Sequence, residues 1–406
     1  MSASRDMSEA RYAGAGRNVA LLSACWALAT SGNTILVSTA ALTGFMLAPD
    51  KALATLPIAF QWAGTAAATI PASFLMRRIG RQKGFLVGIG FGMSGAALVI
   101  LSLYLSAFGL LCLGIGLLGV YNGFNGYYRF AAADAVPENR HAWAISLTLA
   151  GGVVAAVLGP MLARATVDVI APYKFMGAYL AIIGLAMVVS VLLAFVRIPP
   201  TPVADIEGPQ RPLRAIARQP AFVVAVLGAA IGYGVMVLLM SVSPLAMVAQ
   251  EHSFADATLA IQWHVVGMYA PAFFTGALIR RFGVLPIMLT GISLLVVCIA
   301  IAVSGTSVIH FWVSLALLGL GWNFCYVGGT TLLTETYTVA ERAKVQALND
   351  FLVFASAGFG SFFAGSLLHY FGWRVLNLSA LPLVFLVAGA TLWLMLRRRA
   401  VPTPAV

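Results

Sequence analysis

Two ionisable side chains lie deep inside apolar stretches of this sequence, where a charge is costly unless it has a partner or a function. Arg129 follows the run FGLLCLGIGLLGV, and His264 lies within AIQWHVVGMYAPAF. An arginine at such a place can hold an anionic or carbonyl-bearing ligand, and a histidine can exchange a proton near neutral pH. Two plainer interpretations stay open. Arg129 can snorkel to the surface or neutralise Asp134, and His264 can be an uncharged imidazole hydrogen-bonded between helices.

Amide, hydroxyl and aromatic side chains accompany both residues and would make a lining suited to a flat or amphipathic organic molecule. Around Arg129 they recur at i, i+4, i+7 and i+8, which predicts one helical stripe. Some of them could equally be interface anchors or helix-packing residues. His264 is the candidate for proton coupling, and the candidate substrate-binding residues are Asn33, Gln61, Tyr121, Asn125, Tyr128, Arg129, Tyr233, Gln262, His264, Tyr269, Asn323, Tyr326 and Thr330.

The elements that must position these side chains follow from composition. Hydrophobic residues make up 61% of the 406-residue chain and charged residues only 9%, too few charges to cover a soluble domain of this size. Apolar runs of about 20 residues, long enough to cross roughly 30 Å of hydrocarbon, recur along the whole chain. We predict twelve transmembrane helices, at 18–46, 53–76, 84–105, 108–134, 143–164, 174–196, 220–248, 257–279, 285–305, 309–334, 344–369 and 375–396.

The distribution of positive charge orients these spans. With both termini in the cytoplasm, 19 of the 24 Lys and Arg residues fall in cytoplasmic segments, as the positive-inside rule requires. This bias also accounts for the net charge of +11, which is therefore not evidence of nucleic-acid binding. The sequence predicts a multi-pass protein of the cell (inner) membrane, in contact with the lipid bilayer and with both termini cytoplasmic.

The polar, proline-rich stretch RIPPTPVADIEGPQRPLRAIARQP divides the spans six and six. Two sequence echoes suggest a duplication: Gln61-Trp62 with Gln262-Trp263, each followed by Arg-Arg-x-Gly, and LLGVYNGF with LLGLGWNF. We predict an all-α membrane protein of two pseudo-symmetric six-helix bundles, with a transport site near the midplane between them. The predicted divisions are an N-tail (1–17), a first bundle (18–196), a central loop (197–219), a second bundle (220–396) and a C-tail (397–406).

Several kinds of chemistry have no support in the sequence. The acids Asp134, Glu335 and Asp350 are placed near cytoplasmic ends of predicted helices, so a carboxylate proton relay at the midplane is not expected. The four cysteines are scattered singly and give no metal spacing. No nucleophile, acid–base pair or nucleotide-binding loop was found. We therefore expect no enzyme, no cofactor and no metal site.

The loops between spans two and three and between spans eight and nine resemble the signature of the major facilitator superfamily. In SFLMRRIGRQ, Leu75, Arg78, Gly80 and Arg81 match that pattern, while Ser73 replaces its glycine and Arg77 its aspartate. The resemblance implies cytoplasmic gating loops formed by Arg77, Arg78, Gly80, Arg81, Asp134, Arg140, Arg280, Arg281 and Gly283. Gly151, Gly159 and Pro160 partly resemble the family's helix-five antiporter motif.

The resemblance implies a secondary active transporter that moves a small organic solute, aromatic or amphipathic, by alternating access. Nutrient or vitamin uptake and metabolite or drug export both remain open, as does proton coupling. The expected partners are that solute and, if transport is proton-coupled, protons, and the expected state is a monomer. The alternative function class is a transport-inactive sensor or assembly protein on the same fold.

Overall fold

The computed structural model describes residues 14–137, 140–198 and 210–400, without the side chains of residues 142, 339, 343 and 400. Most of the predicted N-tail, central loop and C-tail lies outside the described residues. Within the described residues all regular structure is helical, because a backbone in hydrocarbon must satisfy its own hydrogen bonds. The helices fall into two compact units, each with its own packed interior.

The first unit contains seven helices among its described residues: α1 (Ala15–Leu47), α2 (Leu56–Ile79), α3 (Arg81–Leu105), α4 (Phe108–Asn125), α5 (Tyr128–Asp134), α6 (His141–Thr166) and α7 (Met176–Ala194). Here α2 and α3 both pack on α4, and α1 packs on α6 and α7. Gly151 and Gly159 bring α6 onto α1, since a Cβ at these glycines would meet the carbonyl oxygens of Ser23 and Ser31 at 3.0 and 2.8 Å. These two glycines are thus helix-packing positions, and Pro160 lies inside α6.

The second unit contains eight helices among its described residues: α8 (Leu213–Ala217), α9 (Pro220–Ala249), α10 (Phe254–Tyr269), α11 (Ala272–Phe282), α12 (Val284–Ser304), α13 (Val308–Thr334), α14 (Arg342–Ser379) and α15 (Leu381–Ala400). In this unit α9 packs on α13 and α14, and α12 packs on α13. The segment Asp50–Thr55 also belongs to this unit, where the Thr55 hydroxyl accepts a hydrogen bond from the Gly365 N–H at 2.8 Å.

Ten stretches of the described residues are long and apolar enough to cross a membrane. The last of them, Lys344–Arg399, has 56 residues, more than twice the roughly 20 needed for one crossing, and Gly372 breaks it with a φ of 76°. The predicted eighth span is present as α10 and α11, which are separated at Pro271 and each too short to be counted. Counting Lys344–Arg399 as two spans, and α10 with α11 as one further span, gives the twelve predicted spans.

Two local geometries recur in both units and reveal the internal duplication. Gly80 and Gly283 have nearly the same backbone, with φ, ψ of 87°, 155° and 88°, 160°, a positive-φ geometry that favours glycine. Gly119 of α4 lies directly against the carbonyl oxygen of Gln61, and Gly319 of α13 lies in the same way against the carbonyl of His264.

The recurring contacts correct the sequence alignment of the two halves. Gln61 precedes Gly80 by as many residues as His264 precedes Gly283, so Gln61 corresponds to His264. The match of Gln61-Trp62 with Gln262-Trp263 was wrong by two residues. The echo of LLGVYNGF and LLGLGWNF is in register, because it aligns Gly119 with Gly319.

Candidate functional site

An amide pair joins α1 to α2 in the first unit. The Gln61 Nε2 donates a hydrogen bond to the Asn33 Oδ1 at 2.6 Å. The Asn33 side chain is partly exposed, whereas Gln61 is buried and its Oε1 has no partner among the described residues. A buried amide oxygen with no partner is unusual, and a ligand donor or a water molecule would satisfy it.

The helical segment that carries Arg129 is interrupted between α4 and α5. Around Tyr127 the backbone bonds run to the third preceding residue, from Tyr127 N to the Phe124 carbonyl and from Phe130 N to the Tyr127 carbonyl, both at 3.1 Å. The Tyr127 hydroxyl donates to the Thr69 carbonyl on α2 at 2.6 Å. Such a tightened turn inside a transmembrane segment often occurs at a functional position.

The four polar residues of the predicted stripe differ in exposure. Tyr128 is fully buried and stacks on Phe85, with ring centroids 4.1 Å apart. Tyr121 is buried against Gly92, and Asn125 is buried as well. These three side chains form part of the interior of the first unit, and only Arg129 is partly exposed.

Arg129 is not the residue that neutralises Asp134. The Arg81 Nη2 binds the Asp134 Oδ2 at 2.5 Å. The guanidinium of Arg129 lies over the Phe130 ring, 4.8 Å from its centroid, and its Nε is buried with no partner among the described residues. The Arg129 guanidinium, a planar group with several donors, can therefore hydrogen-bond a carbonyl or anionic group.

Four of the other predicted gating residues come just before the recurring glycines Gly80 and Gly283. Arg77, Arg78, Arg280 and Arg281 are exposed at the ends of α2 and α11. Arg140 lies over the Trp143 ring at 4.6 Å. Just after α13, Glu335 binds Arg398 at 2.7 Å. Val284, which follows Gly283, occupies the position that corresponds to Arg81 after Gly80.

An aromatic cluster occupies the second unit. Tyr233 of α9 lies edge-on to Trp322 and Tyr326 of α13, with centroid distances of 5.4 and 5.6 Å, and to Phe354 of α14 at 6.4 Å. Trp322 and Tyr326 stack on each other at 5.0 Å. Tyr233, Tyr326 and Phe354 are partly exposed, so the cluster presents ring faces or edges to an open side. We call these four residues the aromatic cluster.

Asn323 and Thr330 use their polar groups within the protein. Asn323 is buried, donates to the Met268 carbonyl and accepts from the Thr275 hydroxyl, each at 2.7 Å. These two hydrogen bonds connect α13 to the residues before and after the break at Pro271. The Thr330 hydroxyl donates to the Tyr326 carbonyl one turn earlier. Neither arrangement indicates contact with a ligand.

His264 is completely buried at the crossing of α10 and α13. Its Nδ1 lies 2.9 Å from the Leu315 carbonyl, so Nδ1 carries the proton of this contact. Its Nε2 has no partner among the described residues. Gln262 and Tyr269 of the same helix are partly exposed. The geometry favours an uncharged packing histidine over an accessible proton carrier.

Asp350, which the sequence places near a helix end, lies about two turns inside α14 and is partly buried. It is one helical turn from Phe354, which belongs to the aromatic cluster. Sequence reasoning included Trp322 in the aromatic lining but missed Phe354, which completes the cluster.

The family model of the Major Facilitator Superfamily matches residues 19–261 and 238–405. The chain belongs to this superfamily. It is therefore a multi-pass membrane protein of a family of secondary transporters, and its substrate is a small molecule. The break between α10 and α11 and the paired glycine loops are features of a transporter fold in this chain.

Curated relatives extend over nearly the whole chain. The riboflavin transporter RfnT of Brucella anthropi is 40% identical over 376 residues, covering 92% of this chain and 94% of that protein. YdeG of Bacillus subtilis, an uncharacterized transporter of the same superfamily, is 28% identical and covers 88% of this chain and 87% of its own.

Two solved structures share the fold at low sequence identity. A bacterial homologue of the human lysosomal transporter Spinster aligns with a TM-score of 0.69 at 15% identity, covering 95% of this chain and 98% of that one. The E. coli fucose:proton symporter FucP aligns with a TM-score of 0.60 at 16% identity, covering 92% and 98%. These similarities support the fold and carry no information about the substrate.

Proposed function

We propose that this protein transports riboflavin or a closely similar flat heteroaromatic vitamin. The observation that carries the proposal is the partly exposed aromatic cluster of the second unit in a chain that is 40% identical, nearly end to end, to a riboflavin transporter. Aromatic rings gain from offset-stacked or edge-on contact with one another, and a tricyclic ring offers a large face for it. Tyr233 and Tyr326 are the residues we assign to this contact.

Polar recognition in the proposal comes from partly exposed side chains and from the buried amide of Gln61, which is bonded to the partly exposed Asn33. Within the first unit, the candidates for hydrogen bonds to a ligand are the Arg129 guanidinium and the amide pair of Asn33 and Gln61. Gln262 and Tyr269 are the corresponding candidates in the second unit. Asn323 and Thr330 are left out of the proposed site because their polar groups are bonded within the protein. Tyr121, Asn125 and Tyr128 are left out because they are buried in the interior of the first unit and, unlike Gln61, are not bonded to a partly exposed candidate.

We infer uptake across the cytoplasmic membrane by alternating access of a monomer, with both termini cytoplasmic. The bias of Lys and Arg supports this orientation. Gly151 and Gly159 partly resemble an antiporter motif, which favours export. Their presence is explained instead by the packing of α6 on α1. If a proton gradient drives the proposed uptake, the burial of His264 argues against that residue as the proton carrier.

The first test is a titration of the purified protein with riboflavin, followed by the quenching of flavin fluorescence. We expect saturable quenching, competition by other flavins and no competition by a hexose. Tyr326→Leu should weaken binding about tenfold, since base–aromatic stacking contributes about 1–3 kcal/mol in comparable sites. The matched control is Tyr370→Leu, because Tyr370 is 63% exposed and lies outside the cluster. An absence of saturable binding by the folded wild-type protein would refute the proposal.

A further inference from the structure

Asn33 is the one partly exposed side chain in an otherwise buried stretch of α1. From Ala29 to Gly44 every other residue of this helix is buried. A helix that faced lipid would expose a stripe of apolar side chains, so this stretch of about four turns lies inside the protein. Asn33 also lies near the middle of the 33-residue helix, the depth at which transporter sites are found. Its amide therefore faces an opening inside the protein and not lipid.

Gln61 determines which way the Asn33 amide is turned. The Gln61 Nε2 donates to the Asn33 Oδ1 at 2.6 Å, so the oxygen of Asn33 is held against α2. The Asn33 Nδ2 has no partner among the described residues and is not one of their enclosed unpaired atoms. An amide nitrogen donates hydrogen bonds and does not accept them. The opening at Asn33 is therefore presented with a donor.

Gln61 is itself held firmly, as a residue that positions another must be. Its side chain is 1% exposed. Its backbone carbonyl lies against Gly119 and accepts a hydrogen bond from the Thr65 hydroxyl at 3.0 Å. Because both its backbone and its side chain are enclosed, its bond to Asn33 keeps a constant direction.

We propose that Asn33 determines specificity by donating a hydrogen bond from Nδ2 to a ring carbonyl oxygen of the transported flavin, with Gln61 as its positioning residue. The proposal rests on the proposed function and assigns the polarity of one contact within it. A hydroxyl group can bond to either end of an amide, whereas a carbonyl oxygen only accepts and so benefits from a fixed donor. A flat aromatic molecule without an acceptor at that place would leave the donor unpaired and bind more weakly.

The test compares riboflavin with 2-thioriboflavin and 4-thioriboflavin in binding titrations, because sulfur is a weaker acceptor than oxygen. We expect the wild type to bind at least one thio analogue about fivefold more weakly than riboflavin, the loss of roughly one neutral hydrogen bond. Asn33→Asp keeps the acceptor for Gln61 and replaces only the donor, and titration at pH 8 keeps its carboxylate ionised. Asn33→Leu removes both groups. Both variants should lose that preference.

Gln61→Met tests the positioning role, since methionine fills a similar volume without donating to Asn33. The Asn33 amide can then turn, so flavin binding should persist while the preference for oxygen over sulfur falls toward unity. The matched control is Gln82→Met, because the Gln82 amide donates to the Leu193 carbonyl at 2.7 Å within the same unit. It should leave the preference unchanged.

A preference that survives in folded Asn33→Asp and Asn33→Leu would overturn the assignment while leaving riboflavin as the substrate. A wild type that binds riboflavin and both thio analogues equally well would overturn it too. An unchanged preference in folded Gln61→Met would overturn the positioning role of Gln61. Wild-type protein that binds none of the three ligands would instead refute the proposed function, and this assignment with it.

Discussion

At the scale of the residue, the useful distinction is between polar groups that the protein satisfies itself and those that it leaves available. Asn323 and Thr330 belong to the first kind, because their partners lie within the second unit. Arg129 belongs to the second, since its Nε has no partner among the described residues. Periodicity could not separate these cases, because it gives the face of a helix and not the identity of what lies against it.

Arg129→Lys tests the assignment of the guanidinium to ligand binding. The flat fork can donate two parallel hydrogen bonds to ring carbonyls, whereas an ammonium group donates as a point charge. We expect riboflavin affinity to fall about tenfold, the loss of roughly one hydrogen bond from a charged donor. The measurement is the flavin titration, with the exposed Arg374→Lys as the control. Equal affinities for wild type and Arg129→Lys would remove Arg129 from the site.

His264→Gln tests whether the buried imidazole carries protons or packs two helices. Gln61 occupies the position in the first unit that corresponds to His264, with Gly119 against its carbonyl as Gly319 is against that of His264. A glutamine side chain is therefore compatible with this kind of helix crossing. An uncharged packing role predicts that flavin uptake keeps its pH profile and that the thermal midpoint moves by only a few degrees. A flattened pH profile in the folded variant would show that His264 takes part in coupling.

At the scale of the element, close helix crossings control the architecture of each unit. Gly119 and Gly319 let α4 and α13 approach the carbonyls of Gln61 and His264, as small residues do at membrane helix interfaces. These crossings were partly predictable, since the echo LLGVYNGF and LLGLGWNF places both glycines in register. The Gln-Trp echo was misleading because identical letters fell two residues out of structural register.

Gly119→Ala should destabilise the protein, because the added methyl group would overlap the Gln61 carbonyl and force α4 away from α2. Overpacking of this kind costs about 1–3 kcal/mol. Gly90→Ala in α3 is the matched control, since nothing lies within 4 Å of its added Cβ. That substitution should be neutral or stabilising, by up to about 1 kcal/mol of helix propensity. Thermal unfolding in detergent measures both, and equal midpoints would contradict the crossing model.

The helix ends were the least predictable elements. Hydropathy places the start of the eleventh span at residue 344 and makes RAKVQALND look like its polar edge, whereas α14 begins at Arg342. The break at Pro271 was indicated by the proline itself, since hydropathy continues unchanged across α10 and α11 and only the missing N–H of proline interrupts the helix.

At the scale of the whole molecule, the twelve-span plan was predictable because bilayer thickness fixes the length of each apolar run. The connection between the two units was not, since much of it lies outside the described residues. Its described end is attached to the second unit. Arg211 binds Glu341 through its backbone N–H and its guanidinium at 2.7–2.9 Å, and Arg211 also donates to the Thr336 carbonyl.

This attachment predicts a pH dependence of stability. Hydrogen bonds from Arg211, followed by one from the Thr338 N–H, lower the pKa of Glu341 well below its ordinary value. A carboxyl whose pKa is lowered on folding stabilises the protein above its unfolded pKa of about 4.3, and this contribution is lost as the pH falls further. Glu341→Gln should therefore lower the thermal midpoint clearly at pH 7 and progressively less below about pH 4.

The exposed Glu335 provides the control for that comparison. Glu335→Gln should change the midpoint little at pH 7, because exposed ion pairs contribute only about 0–1 kcal/mol. Glu341→Gln with the same midpoint deficit at pH 7 and pH 3.5, in protein that stays folded at both, would contradict the role assigned to the Arg211–Glu341 contact.

The central claim, transport of a flat heteroaromatic vitamin, is tested most directly by counterflow in proteoliposomes loaded with unlabelled riboflavin. The account predicts that labelled riboflavin enters transiently and saturably, above the level of empty liposomes, and that Tyr326→Leu reduces the entry. Folded wild-type protein that gives no riboflavin counterflow above empty liposomes would contradict the account.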